Sequence, residues 1–180
     1  MKDFEQKEYK IFELFRNQWA LAAAGTLEKH NACTVAWGSL GTLWTRPSSP
    51  GSIVTIYLHP SRYTCDYFRE CDMFTVGFFP REYRKVLAHM GSCSGRDRNK
   101  EIEAGLNAVA FGNSIAYQEA SMTLLCKKIY GYPFAKAGLS QEVKDYYVSR
   151  PGAFPLDENG DWNPHWMFVG DIVDIKENEE

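Results

Sequence analysis

Residues 89–100 read HMGSCSGRDRNK. Ser92 and Ser94 are hydroxyl donors, Gly91 and Gly95 are bare backbone, and Arg96, Arg98 and Lys100 are cations, in a chain of net charge −3. Such a mixture suits an anion, because glycine lets the main chain approach a ligand closely. A helix start would add unpaired N–H groups and a positive dipole end. Ser94-Gly95-Arg96-Asp97 fits a capping box and predicts a short helix over Asp97–Gly105. The capping and anion readings are compatible, although at most one or two of the three cations can face one bound group. The segment HPSRYT (His59–Thr64) repeats the chemistry. Ser61 is placed to N-cap a helix whose first turn carries Arg62 and Thr64 as donors. A cation there opposes the helix dipole by roughly a few tenths of a kcal/mol. Arg62 is therefore either an exposed side chain bearing that small cost or a partner for a bound anion. Two such helix starts point to a phosphate.

A scaffold must position these segments. WALAAAGTL and NACTVAWGSLGTLW read as two strands joined by the polar stretch Glu28–Asn31, and SIVTIYLH and MFTVGFF as two more. SIAYQEASMTLLCKKIYGYPF supplies one or two strands and HWMFVGDIVDIKE the last. Short helices are expected after Pro60, with Tyr63, Tyr67, Phe68 and Cys71 on one face, over Glu82–Met90, and within residues 140–149. Residues 1–16 read as a helical extension with Phe12 and Phe15 inward, and 177–180 as a solvated tail. Many strands with few short helices predict a mainly β, antiparallel barrel in a single domain spanning 1–180. Gly38 and Gly41 interrupt strand residues and mark a bulge or the close approach of a ligand. Trp37 and Trp44 beside them suit a core, an interface or ring stacking.

Bulk properties narrow the function. A chain of 180 residues, 44% hydrophobic and 24% charged, can bury a core of its own. The pI near 5.8 argues against nucleic acid as a partner. No apolar run spans a bilayer, and MKDFEQKEYK carries no apolar signal core, so a cytoplasmic protein is expected. Five cysteines without a CxxC pair argue for reduced thiols and against a zinc site. His30, His59, His89 and His165 lack metal-ligand spacing, so no metal is expected. DENGDWN (157–163) reads as a plain turn.

Taken in order and spacing, NACTVAWGSLGTLW, HPSRYT and GSCSGRDRNK resemble the flavoredoxin-like branch of the flavin reductase family over roughly residues 19–130. The resemblance implies an FMN-binding split β-barrel, usually a homodimer with FMN near the subunit interface. Carried over by position, Thr34, Val35, Ala36, Trp37 and Gly38 would run along the flavin ring. Arg62, Tyr63 and Thr64 would meet the ribityl phosphate, with Ser92, Ser94 and Lys100 closing it from the other side. Four positions depart from the family pattern. Ala36 stands where Ser is usual and removes a hydrogen bond to the ring system. Cys33 replaces Met as a packing change. His59 replaces Arg and Cys93 replaces Lys, and both remove positive charge near the phosphate. Cys93, beside a helix start and basic neighbours, is either a thiol of lowered pKa that meets oxidants or a passive substitution.

The implied activity is an FMN-dependent oxidoreductase, most simply a flavin reductase using NADH or NADPH, with a redox partner or small molecule as electron acceptor. An FMN electron-transfer protein without nicotinamide activity is the alternative, and a flavin-free binding module a third. No acid–base side chain is strictly required, because the cofactor carries the chemistry.

Overall fold

The computed structural model describes residues 3–178, so residues 1–2 of the expected extension and 179–180 of the expected tail lie outside them. The first strand, β1 (Ala20–Gly25), is buried along its whole length. Ala20, Ala22 and Ala24 face one hydrophobic cluster, and Leu21 and Ala23 face a second on the opposite side. The twofold alternation of a strand sends neighbours to opposite faces, and a strand crowded on both faces needs small side chains.

Among the described residues the other strands are β2 (His30–Val35), β3 (Gly38–Thr42), β4 (Ser52–Leu58), β5 (Met73–Phe78), β6 (Ala108–Phe111), β7 (Ser114–Tyr117), β8 (Met122–Pro133) and β9 (Trp166–Glu177). Seven form one antiparallel sheet in the order β2-β1-β5-β8-β9-β4-β3, and β6–β7 is a separate hairpin. The long strands β8 and β9 slip register at Leu125/Cys126 and Lys128/Tyr130. Such bulges bend a strand and sharpen its twist, which helps the sheet curl. Its concave side holds Val54, Ile56, Phe68, Phe74, Phe78, Leu124 and Phe168 in one cluster. The hairpin and α2 (Arg84–Ser92) contribute Ile115, Tyr117, Leu87 and Met90 to the other cluster.

NACTVAWGSLGTLW is not one strand. It divides at Ala36–Trp37 into β2 and β3, which lie on opposite edges of the sheet. Only two residues separate them, so the curled sheet must bring its edges together there. This corner organises the candidate site.

The helices depart from expectation in detail. Before β1, residues 11–18 form a helix that ends in π-helix over Glu13–Gln18. Phe15 is buried as expected, but Phe12 is 83% exposed. Helix α1 (Tyr63–Glu70) begins from Arg62, not from a Ser61 cap. The Ser61 hydroxyl instead bonds His59 Nδ1 at 2.7 Å. Phe68 is fully buried on α1, with Tyr63, Tyr67 and Cys71 half-buried. Helix α3 starts at Lys100 and ends at Ala104. Its cap is Asn99, whose side-chain oxygen accepts from Ile102 N–H at 3.2 Å, so Ser94–Asp97 forms a turn upstream and not a capping box. Helix α4 (Gln141–Val148) lies within its expected range. Glu177 closes β9, and the Asn178 side chain donates to the Gln118 and Ala120 carbonyls, so the chain is still tied down at that point.

Candidate functional site

At the β2–β3 corner lies a cavity of about 180 Å³. Residues 33–37 form one side, Tyr57, Leu58, His59 and Arg62 a second, and Ala153, Phe154 and His165 the third. The structure therefore gathers Thr34, Val35, Ala36 and Trp37 with Arg62, as the sequence motifs imply. Gly38 serves a different neighbour. A Cβ there would lie 2.4 Å from the Phe15 ring, so this glycine admits the N-terminal helix. The Thr34 hydroxyl is spent on the Leu87 carbonyl of α2 at 2.5 Å.

The third side is a set of rings brought together across the chain. His165 lies 4.8 Å from Trp37, 5.2 Å from His59 and 5.4 Å from Phe154, centroid to centroid. Hydrogen bonds fix the protons. Tyr147 Oη accepts from the His165 backbone N–H at 3.1 Å, so its own hydrogen goes to His165 Nδ1 at 2.6 Å. The neutral ring then carries its proton on Nε2. Burial, with His59 and Arg62 nearby, holds the His165 pKa down at about 3. His59 follows the same logic. Its Nδ1 accepts from Ser61 N–H, its Nε2–H donates to the Asn163 carbonyl at 3.1 Å, and burial lowers its pKa. Both rings are buried and neutral at pH 7 within an aromatic wall. In the sequence these histidines carry no metal-ligand spacing, and no local pattern signals a contact across 106 positions.

The cationic side is built from main-chain carbonyls at the end of α2. Arg62 is exposed and donates to the Gly91 carbonyl at 3.0 Å. No carboxylate pairs with it among the described residues. Lys100 is 3% exposed and donates from Nζ to the carbonyls of Met90 at 3.2 Å and Cys93 at 3.3 Å. Burial lowers its pKa. Both cations thus cap the carbonyl end of a helix, where the dipole favours positive charge.

The remaining candidates are placed as follows. The Ser92 hydroxyl donates to the His89 carbonyl at 3.0 Å, and Ser94 Oγ accepts from Arg96 N–H at 3.2 Å. Thr64 is buried, and its hydroxyl donates to Asn31 Oδ1 at 2.6 Å, facing β2 and not solvent. Tyr63 packs against Tyr67 and lies under the Arg96 guanidinium at 4.5 Å. Gly95 also answers a neighbour, since a Cβ there would meet Asn31 Nδ2 at 1.9 Å. The structure therefore brings Arg62, Ser92, Ser94 and Lys100 around the end of α2, and gives Tyr63 and Thr64 to packing.

A larger cavity, about 560 Å³, lies across the 95–101 segment. Three of its basic residues face carboxylates, His30 with Glu101 at 2.8 Å, Arg98 with Glu103 at 3.3 Å and Arg96 with Asp66, whereas Lys29 also lines it and Lys100 donates to main-chain carbonyls. The smaller corner differs in that Arg62, at its edge, pairs with no carboxylate among the described residues.

The curled seven-stranded sheet with its corner defines a split β-barrel, the fold of flavoredoxins and flavin reductase-like FMN-binding proteins. Among solved structures the chain is similar to the flavoredoxin of Desulfovibrio vulgaris (Miyazaki F), at 18% identity over 99% of this chain and 78% of that one, TM-score 0.62. An FMN-binding protein from Thermus thermophilus with bound p-hydroxybenzaldehyde is 16% identical over 97% and 79%, TM-score 0.64. An FMN-binding domain of a flavin reductase-like enzyme from Shewanella baltica OS155 is 15% identical over 92% and 72%, TM-score 0.60. At these identities the likeness is one of fold. No protein-family model and no curated protein matches the sequence. No helix among the described residues is long and apolar enough to cross a membrane.

Proposed function

We propose that this protein is an FMN-binding oxidoreductase whose cofactor sits at the β2–β3 corner. The observation that carries the reading is the Arg62 guanidinium, exposed and without a carboxylate partner among the described residues, at the edge of the cavity lined by residues 33–37. Main chain of Thr34, Val35, Ala36, Trp37 and Gly38 would flank the ring system. Arg62 would meet the phosphate, with Ser92 and Ser94 near it and Lys100 behind as a buried positive charge. Tyr63 and Thr64 support the site by packing. FMN would supply the two-electron chemistry, with NADH or NADPH as donor and a redox partner or small molecule as acceptor. The chain's own part is to place the ring, exclude water with Trp37, Phe154 and His165, and offer the His165 Nε2–H as a neutral donor.

The fit has one evident gap. A cavity of about 180 Å³ is smaller than the roughly 300–1,000 Å³ that encloses a ligand of this size. Something must cover the rest, and Trp37 and Trp44, 44% and 56% exposed, suit a homodimer in which a second copy does so. A flavoredoxin among the fold neighbours favours a second reading, electron transfer without nicotinamide.

Titration of the purified protein with FMN and with riboflavin tests the site. FMN is expected to bind more tightly, and equal affinities would refute the phosphate assignment. Adding NADH or NADPH to the FMN-loaded protein without oxygen then separates the two readings. Bleaching of the flavin absorption supports the reductase. A yellow protein that nicotinamide leaves unchanged supports electron transfer alone.

A further inference from the structure

His89 and Cys93 stand one helical turn apart at the end of α2, and Glu103 of α3 meets them. Cys93 Sγ lies 3.8 Å from His89 Nδ1, and His89 Nε2 lies 3.2 Å from Glu103 Oε2. The carboxylate approaches off the ring N–H axis, so this is a close contact and not a hydrogen bond. Thiol, imidazole and carboxylate thus stand in the order of nucleophile, base and charge partner.

Cys93 is the C-cap of α2, not a residue beside a helix start. A helix C-terminus by itself opposes a thiolate. Here the carbonyls that create this opposition are covered by cations: Lys100 on Met90 and Cys93, and Arg62 on Gly91. Arg98 reaches Glu103 at 3.3 Å from the intervening loop. The titratable groups next to the thiol are therefore His89 and Lys100, with Arg62 on the Gly91 carbonyl and Glu103 and Arg98 beyond His89. Lys100 and Arg62 also act on Cys33, and Cys71 is half-buried like Cys93, so what sets Cys93 apart is the His89 contact. Cys33, Cys65 and Cys126 are buried and Cys71 half-buried. Burial pushes all four thiols up, Cys65 to about 12.

We propose that Cys93 is a nucleophilic thiol that forms mixed disulfides with low-molecular-weight disulfides, with His89 as proton acceptor and Glu103 as its charge partner. The Cys93 thiol passes its proton to His89 Nδ1. The thiolate attacks one sulfur of the disulfide RSSR, a Cys93–S–S–R bond forms, and the R–S–S–R bond breaks. The leaving RS⁻ takes the proton from the imidazolium and departs as RSH. The disulfide is the only oxidant needed. The modified side chain would lie between Ser92 and Ser94. A mixed disulfide there would obstruct the phosphate wall, a consequence that rests on the proposed function, whereas the thiol chemistry does not.

The test uses the full chain, reduced and without added flavin, reacted with dithiodipyridine under native conditions while thiopyridone release is followed. One thiol is expected to react in a fast phase, about ten-fold faster at pH 7 than a free cysteine, of which only a few per cent is thiolate. Cys93→Ser is expected to remove that phase. His89→Ala is expected to slow it about ten-fold at pH 7, the difference closing above about pH 9.5, where a thiol ionises without a base. A merely structural role for His89 would not produce that convergence. His89→Gln carries the same test if the alanine variant fails to fold. Glutathione disulfide is expected to leave one adduct, mapped to Cys93 by mass spectrometry. A fast phase that survives Cys93→Ser, or a His89 variant whose pH profile matches wild type throughout, would overturn the proposal.

Discussion

The two cavities treat charge in opposite ways. The corner wall of Trp37, Tyr147, Phe154, His59 and His165 is aromatic, and its histidines are kept neutral by burial and by hydrogen bonds that fix their protons. The larger cavity, with Lys29, His30, Arg96, Arg98 and Glu101, is charged, and its His30, Arg96 and Arg98 face carboxylates. Between them Arg62 and Lys100 rest on helix carbonyls. On the proposed function, the anion meets the smaller corner, where the Arg62 guanidinium pairs with no carboxylate among the described residues.

The largest effect should come from breaking the aromatic wall. Phe154 is 9% exposed and packs against His59, Tyr146, Tyr147 and His165. Phe154→Ala removes a ring shared by all four and should cost about 3 kcal/mol of stability. Urea unfolding measures it. A loss below about 1 kcal/mol would mean that the wall is loosely packed and that the comparison overstates its order.

The boundary between the regions is tested next. If FMN sits at the corner as proposed, Arg62→Ala removes a charge-assisted contact of roughly 1.5–3 kcal/mol to its phosphate. FMN binding should weaken by roughly ten- to hundred-fold. Because the exposed guanidinium gives the fold only a helix-end contact, thermal stability should hardly change. Fluorescence titration with a parallel melting curve separates the two. Wild-type FMN affinity would move the site away from the corner.

A third experiment reads the wall through acid. Free histidine titrates near 6.5, and His165 near 3 in the fold. Between those values the unfolded chain takes up a proton that the folded chain refuses. Stability therefore falls as pH drops below about 6.5, by as much as about 1.4 kcal/mol per unit. From pH 7 to pH 5 the loss from His165 is about 2 kcal/mol on that slope, and His59 adds in the same direction. His165→Gln should flatten the profile in urea titrations at pH 5, 6 and 7. An unchanged slope would show that His165 is not the buried neutral group.

What was legible in the sequence divides along the same line. β-branched and aromatic runs placed most strands, and the three spaced motifs located the corner, because both are written in local residue types. The break of one apparent strand into β2 and β3 was not, since it follows from two sheet edges meeting at Ala36–Trp37. Helix starts were misplaced where a side chain had a rival partner: Ser61 answers His59, and Asn99 takes the cap expected of Ser94. Gly38 and Gly95 looked like room for a ligand, yet each admits a protein side chain, Phe15 and Asn31. The meeting of His59 with His165 depends on residues 104–106 positions away, and no periodicity carries that.

The smallest expected effect sharpens the comparison most directly, because it concerns the same side chain in the opposite setting. His30 faces the Thr26 carbonyl through Nδ1 at 2.9 Å and Glu101 through Nε2 at 2.8 Å. Both neighbours accept, so the ring is best satisfied when both nitrogens carry protons. The hydrogen bond to Glu101 is the chief cause that raises its pKa, whereas burial lowers that of His165. The sign of the linkage reverses with it. The stabilisation from His30 is complete below about 6.5, the unfolded value, and is lost as pH rises through the folded value. The ion pair is small and partly wet, so the contribution should stay below about 1 kcal/mol. Glu101→Gln should lower the His30 pKa in an NMR titration. It should also cost more stability at pH 5.5 than at pH 8. A His30 that titrates below 6.5 in the wild-type protein would erase the contrast, and both regions would then handle their histidines by burial alone.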